Sequence, residues 1–207
     1  IEIEEVTSPG GIEAWLVEDH SIPFVALDIW FMGGASLDPE DARGAVHLMT
    51  GLLEEGAADM DARAFAEQVE GLAASFEFDV YRDALTVSAQ MLTENRDAAA
   101  ELLRAALVEP RFDEDAIERV RGQVLSIIEG DARDPDEIAS DTFNSLAWGD
   151  HPYGSALEGT RESVSALTRE NIVAAHDAVL ARDRVIVGAA GDISAEELGL
   201  LLDEVLG

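Results

Sequence analysis

The chain has 207 residues, no cysteine, and 44 acidic residues against 13 basic ones, every one of them arginine, for a formal net charge of −31. These numbers exclude disulfides, a thiolate nucleophile, cysteine-ligated metal centres and any phosphate loop that depends on lysine. They also disfavour nucleic acid as a partner, because displacing counterions from a phosphate backbone needs a basic surface, whereas a self-repelling acidic surface aids solubility and suits high salt or a basic partner.

The length predicts a single domain, residues 1–207, with a sizeable core, and the 47% hydrophobic content is ordinary for a globular chain. No apolar run reaches bilayer-spanning length, so no membrane span is expected. No signal peptide is visible, and Ile1 is not an initiator methionine, which predicts a processed or engineered start.

In chain order, strands are predicted at Ile1 to Val6 and Gly11 to Glu18, separated by the turn Ser8-Pro9-Gly10. Phe24 to Met32 follows with the aromatic and β-branched content of a central strand, and this opening reads as antiparallel pairing of neighbours. Gly33-Gly34-Ala35-Ser36 ends the strand. A helix is then expected from Gly44 to Gly56, and another from Asp61, a plausible N-cap, to Leu72. Ala74 to Tyr81 and Ala84 to Leu92 alternate as strands around a hairpin-length Arg82-Asp83 connection. The middle turns helical: Glu94 to Val108, Asp113 to about Arg133, and Pro135 to Trp148. A loop at Gly149 to Gly154 precedes helices near Arg161 to Leu167 and Thr168 to Ala181, a strand from Arg184 to Ala190, and a closing helix from Ser194 to Leu206. Strand pairs and helical blocks in this order predict an α+β fold, an antiparallel or mixed sheet with helices packed mainly on one face.

The Gly44 to Gly56 helix carries one histidine, His47. A hydrolytic zinc helix of the His-x-x-Glu-His kind needs two histidines sharing one face and a glutamate to activate water. Here the corresponding positions are Thr50 and Gly51, one with no acid–base capacity at neutral pH and one with no side chain. His47 is left as a residual metal candidate that reads as a packed residue, because catalytic zinc requires three protein ligands.

The other candidates reduce to structure. His20 falls on a turn and is expected in solvent, His151 sits in a loop shaped by Pro152 and Tyr153, and His176 lies mid-helix with no partner evident. Glu54 and Glu55 at the end of the central helix read as solvated. The acidic clusters Asp38 to Asp41, Asp113 to Asp115 and Asp131 to Glu137 read as surface, since none matches a twelve-residue calcium loop. Gly-x-Ser-x-Gly is absent.

Four stretches in order, Trp30 to Asp38, Gly44-Ala45-Val46-His47, Trp148 to Gly154 with Gly159-Thr160, and Val187 to Ile193, together resemble the pitrilysin/insulinase-type zinc peptidases, in particular the processing-peptidase-like group. The resemblance covers nearly the whole chain and implies a subunit of two similar α+β halves, of which this chain looks like the N-terminal one. It sets His47 on the first histidine of the family's inverted zinc motif, Thr50 on the catalytic glutamate and Gly51 on the second histidine. A later helix should add a glutamate ligand near Val124 to Ile128, where this sequence has Ser126 and Ile127, with Glu129 on another face.

The resemblance therefore implies a non-catalytic subunit that pairs with an active His-x-x-Glu-His subunit and helps to bind extended peptide substrate. No metal or cofactor is expected in this chain, and zinc is expected in the partner. Peptide contact is placed at Gly33, Gly34 and Ala35, with sheet-edge pairing as its mode. Two alternatives stand beside it: a zinc endopeptidase active in its own right through a rearranged site, and a structural or binding module on the same fold. The compartment is left between bacterial periplasm and cytoplasm, with the lack of cysteine leaning towards the periplasm.

Overall fold

The computed structural model describes residues 2–207. Its elements are β1 (Glu4–Thr7), β2 (Glu13–Glu18), β3 (Phe24–Met32), α1 (Ala45–Thr50), the two-residue strands β4 (Gly56–Ala57) and β5 (Met60–Asp61), α2 (Ala62–Gly71), β6 (Ser75–Val80) and β7 (Ala84–Leu92). Then come α3 (Arg96–Val108), α4 (Glu114–Asp131), α5 (Pro135–Trp148), α6 (Arg161–Ala166), α7 (Arg169–Val179), β8 (Val185–Gly191) and α8 (Ala195–Leu206). This is the expected α+β architecture, down to the Asp61 cap, whose Oδ1 accepts the Ala64 N–H at 2.8 Å.

The main sheet runs β1-β2-β8-β3-β7-β6 and is mixed, because β2 and β8 pair in parallel while every other neighbouring pair is antiparallel. The alternation of β3 decides its two faces. Val25, Leu27, Ile29 and Phe31 are buried, and Asp28, Trp30 and Met32 are exposed. Leu16, Val87, Ala89, Val187 and Ala189 continue the buried face, and Leu48, Met49, Leu103, Ile172 and Leu202 from α1, α3, α7 and α8 close over it in one core. Each buried valine, leucine, isoleucine or methionine among them contributes about 1.5–3 kcal/mol by leaving water.

Three sequence expectations change here. First, β2 and β3 do not pair with each other: β8, from the far end of the chain, inserts between them, antiparallel to β3. Its Val187 and Ala189 alternate in step with the buried face of both neighbours, and sequence periodicity cannot order strands that share a face. Second, α1 ends at Thr50 rather than near Gly56. The Leu52 N–H bonds to Met49 O at 2.9 Å and the Leu53 N–H to Thr50 O at 3.3 Å, so the chain tightens into i→i−3 turns that bury Leu52 and Leu53. Third, Asp38 is not a surface residue but is only 5% exposed.

Candidate functional site

Helix α1 is held at its start by that buried carboxylate. Asp38 Oδ2 accepts the Gly44 N–H at 2.8 Å and Oδ1 accepts the Val46 N–H at 2.9 Å, two groups that a helix start leaves without partners. Burial pushes the Asp38 carboxyl up to about 6, against the pull of those two N–H groups and of Arg43. Gly44 adopts φ +90, where a side chain would collide with the Glu158 carbonyl, so the 156–160 loop sits hard against the helix start. Ser163 Oγ donates to Arg43 O at 2.8 Å and ties α6 to the same corner.

One turn on, His47, Thr50 and Gly51 line a cleft of about 260 Å³ between α1, β6 and α4. Phe78, Asp79 and Val80 come from β6, and Val120, Gln123, Val124 and Ile127 from α4. The α4 positions follow helical spacing i, i+3, i+4, i+7, so one face of α4 confronts α1. That face has a single polar side chain, Gln123, and no carboxylate. Ser126 is exposed and off the cleft lining, and Glu129 pairs with Arg133 at 2.5 Å and Arg161 at 3.4 Å, away from the cleft as expected.

The residues do not fit zinc. His47 is the one imidazole, with its Nδ1 buried and without a hydrogen-bond partner. Burial holds its pKa below the ordinary histidine value, an effect opposed by the Glu158 carboxylate. The Thr50 hydroxyl is buried and donates to Val46 O at 2.8 Å, so it is spent on its own helix. Asp79 is the only carboxylate on the cleft lining, and among the described residues no group of three or more His, Cys, Asp or Glu side chains could hold a metal ion. Hydrolytic zinc needs three ligands and a base. One imidazole and one carboxylate fall short.

Gly33, Gly34 and Ala35 lie against the turn of the β6–β7 hairpin. The Gly33 N–H donates to Asp83 O at 2.7 Å and the Ala35 N–H to Tyr81 O at 3.0 Å, and a side chain at Gly34 would strike the Tyr81 carbonyl. The same turn is buttressed by the 148–155 loop: the Tyr153 hydroxyl donates to Asp83, and Arg82 lies 5.8 Å from the Tyr153 ring centroid while donating to Ser155 O at 2.9 Å. His151 belongs to this buttress, its Nδ1 accepting the Tyr153 N–H at 3.2 Å. Together these contacts hold β6, an outer strand of the sheet, along the rim of the cleft.

The remaining histidines are structural. His20 is exposed, as expected, but bridges Asp192 at 2.5 Å and Glu18 at 2.7 Å, and hydrogen bonds to those two carboxylates raise its pKa. His176 does have a partner, since its Nε2 lies 2.8 Å from Leu107 O and its ring meets Phe112 edge-on. Glu54 is exposed; Glu55 pairs with Arg119. Sequence reasoning missed Asp38 as the anchor of α1 and Asp79, Val120 and Gln123 as cleft residues. A capping carboxylate seven residues ahead of its helix follows no cap pattern, and a cleft face on α4 becomes visible only once α4 is docked.

Residues 14–161 match the family model described as insulinase, peptidase family M16. The chain is 27% identical over 180 residues to the non-peptidase homolog YmxG of Helicobacter pylori, covering 87% of this chain and 42% of that protein. It is 26% identical to a protein of Mycobacterium leprae named as an uncharacterized zinc protease, over 97% of this chain and 45% of that one. A crystal structure of a peptidase M16 inactive domain from Pseudomonas fluorescens superposes with a TM-score of 0.94 at 27% identity, covering all of this chain and 50% of that one. A protease from Helicobacter pylori shares the fold, with a TM-score of 0.86 at 18% identity. The chain thus spans about half the length of the relatives that it matches.

Proposed function

The chain belongs to the insulinase family, peptidase family M16, and from that premise we propose that it is a non-catalytic subunit that pairs with an active His-x-x-Glu-His subunit and helps to bind extended peptide. The observation that carries the reading is the composition of the α1–α4 cleft: one imidazole with an unpartnered Nδ1, a threonine bonded to its own helix, a glycine, and an α4 face without a carboxylate. Two similar proteins support it by name, one a non-peptidase homolog and one an inactive M16 domain.

The peptide-binding part rests on β6. An outer strand beside a cleft offers unpaired backbone groups to an extended segment, and the cleft receives alternate side chains of that segment. Gly33 to Ala35 contribute by fixing the β6–β7 turn. Zinc belongs to the active partner in this reading.

The test mixes the purified chain with an intact His-x-x-Glu-His homologue from the same genome, measuring complex mass and hydrolysis of an unstructured peptide by each component and by the mixture. The reading predicts that the chain alone is inert, that a defined complex forms, and that kcat/KM of the homologue changes in it. No complex and no change in kcat/KM would reject it.

A further inference from the structure

Helix α5 is built inside out. It has 14 residues and none is buried, although Ile138, Phe143 and Leu146 are 47%, 68% and 84% exposed. At 100° per residue, Ile138, Ala139, Phe143 and Leu146 share one arc of the helix, with Thr142 between Ile138 and Leu146 and Asn144 on the opposite side. Asn144 is the one α5 residue that is not exposed. The helix therefore turns its polar side towards the body, where it packs on the 152–154 turn, and its apolar arc outward. A helix of this length gains its stability from burying an apolar face, and scattered single hydrophobics on a surface differ from several large ones gathered on one side of a helix.

Charge identifies what fits the arc. Asp136 and Asp141 flank its two edges on the same helical projection, and Asp134 precedes it. Asp136 and Asp141 thus put negative charge along both edges of the arc, which favours a segment that carries cations beside its apolar residues. A second copy of this chain, with its net charge of −31, would bring the same carboxylates face to face.

We propose that the apolar arc of α5 is a docking surface for a partner protein segment that presents apolar residues flanked by arginine or lysine. Phe143 and Leu146 are its anchors, and Asp136 and Asp141 set the charge of the segment that they accept. This surface is separate from the α1–α4 cleft, and the inference holds whether or not the partner is a peptidase.

The experiment measures binding of the whole chain to a synthetic amphipathic helix of leucine and lysine as long as α5, with a leucine–glutamate helix as control, across a range of salt. Phe143→Ser and Leu146→Ser alter exposed side chains and no charge, so circular dichroism should show an unchanged fold. The expected result is that each weakens the leucine–lysine helix about tenfold at every salt concentration, the transfer value of one large apolar side chain. Asp136→Asn with Asp141→Asn should flatten the salt dependence, and the leucine–glutamate helix should bind neither form. Binding unchanged by the serine variants would overturn the proposal by showing non-specific charge attraction. So would dimerisation of the wild-type chain, or its capture by phosphatidylcholine vesicles, if either is lost in those variants.

Discussion

A Cβ at Gly51 would stand 3.0 Å from Cγ1 of Val120, so the position that the proposed function sets on the second histidine of a zinc motif lies against α4. The glycine is in ordinary right-handed helical conformation, and the constraint is the neighbour rather than the backbone. A side chain at this exposed position would require Val120 to give by a few tenths of an ångström.

This closeness bears on restoration of the motif. Thr50→Glu with Gly51→His should not yield zinc-dependent cleavage, because the α4 face of Val120, Gln123, Val124 and Ile127 still supplies no carboxylate ligand. Gly51→His requires Val120 to shift by a few tenths of an ångström, while an exposed position at ordinary helical φ gains from losing glycine, so its net effect on stability should stay within about 1 kcal/mol. Metal analysis and peptide hydrolysis of the double variant check the first point, and denaturant unfolding the second. EDTA-sensitive cleavage by the double variant would refute it.

Asp38 gives a second prediction. Asp38→Ala leaves the Gly44 and Val46 N–H groups buried without an acceptor and should destabilise the chain by about 1–3 kcal/mol in denaturant unfolding. The sign with pH follows from burial. The folded-state pKa, about 6, lies above the ordinary 3.8, so this group's contribution is full below about 3.8 and is lost as pH rises through 6. Asp38→Asn should remove that slope, and identical pH–stability curves for the two proteins between these values would contradict the assignment.

The histidines should part company in an NMR titration. Burial lowers the His47 pKa below 6.5, and the carboxylates of Asp192 and Glu18 raise that of His20 above it. His20 therefore supports the fold below 6.5 and loses that support as pH rises through its raised value. His47 resists protonation and costs stability as pH falls below 6.5. A His47 resonance titrating at or above 6.5 would mean that the cleft is wetter or more strongly acidic than its lining.

Salt should stabilise the chain. With a net charge of −31, raising ionic strength from about 0.1 M to about 1 M shortens the screening length from about 10 Å to about 3 Å and relieves self-repulsion. The thermal midpoint should climb over that range, and a flat response would show that the acidic residues are already well separated.

Much of the fold is legible in the sequence because its signals are local. The alternation of Val25 to Phe31, the Asp61 cap and the Ser8-Pro9-Gly10 turn each act within a few residues. The order of strands is not local, since β8 lies between β2 and β3 in the sheet but at the far end of the chain in sequence. At the site, the absence of a glutamate and a second histidine three and four residues after His47 is readable from spacing alone. The role of Asp38 is hidden because a carboxylate in the run Asp38-Pro39-Glu40-Asp41 looks like its solvated neighbours until the chain folds over it. α5 reads correctly as a helix, but which way its apolar arc turns depends on the body that it leans on.

The most direct measurement is zinc titration of the purified wild-type chain by calorimetry at neutral pH, with peptide hydrolysis followed in the same samples. A cleft with one imidazole and one carboxylate predicts no stoichiometric binding and no cleavage above the metal-free control. One zinc bound per chain, with hydrolysis abolished by His47→Ala, would contradict the account.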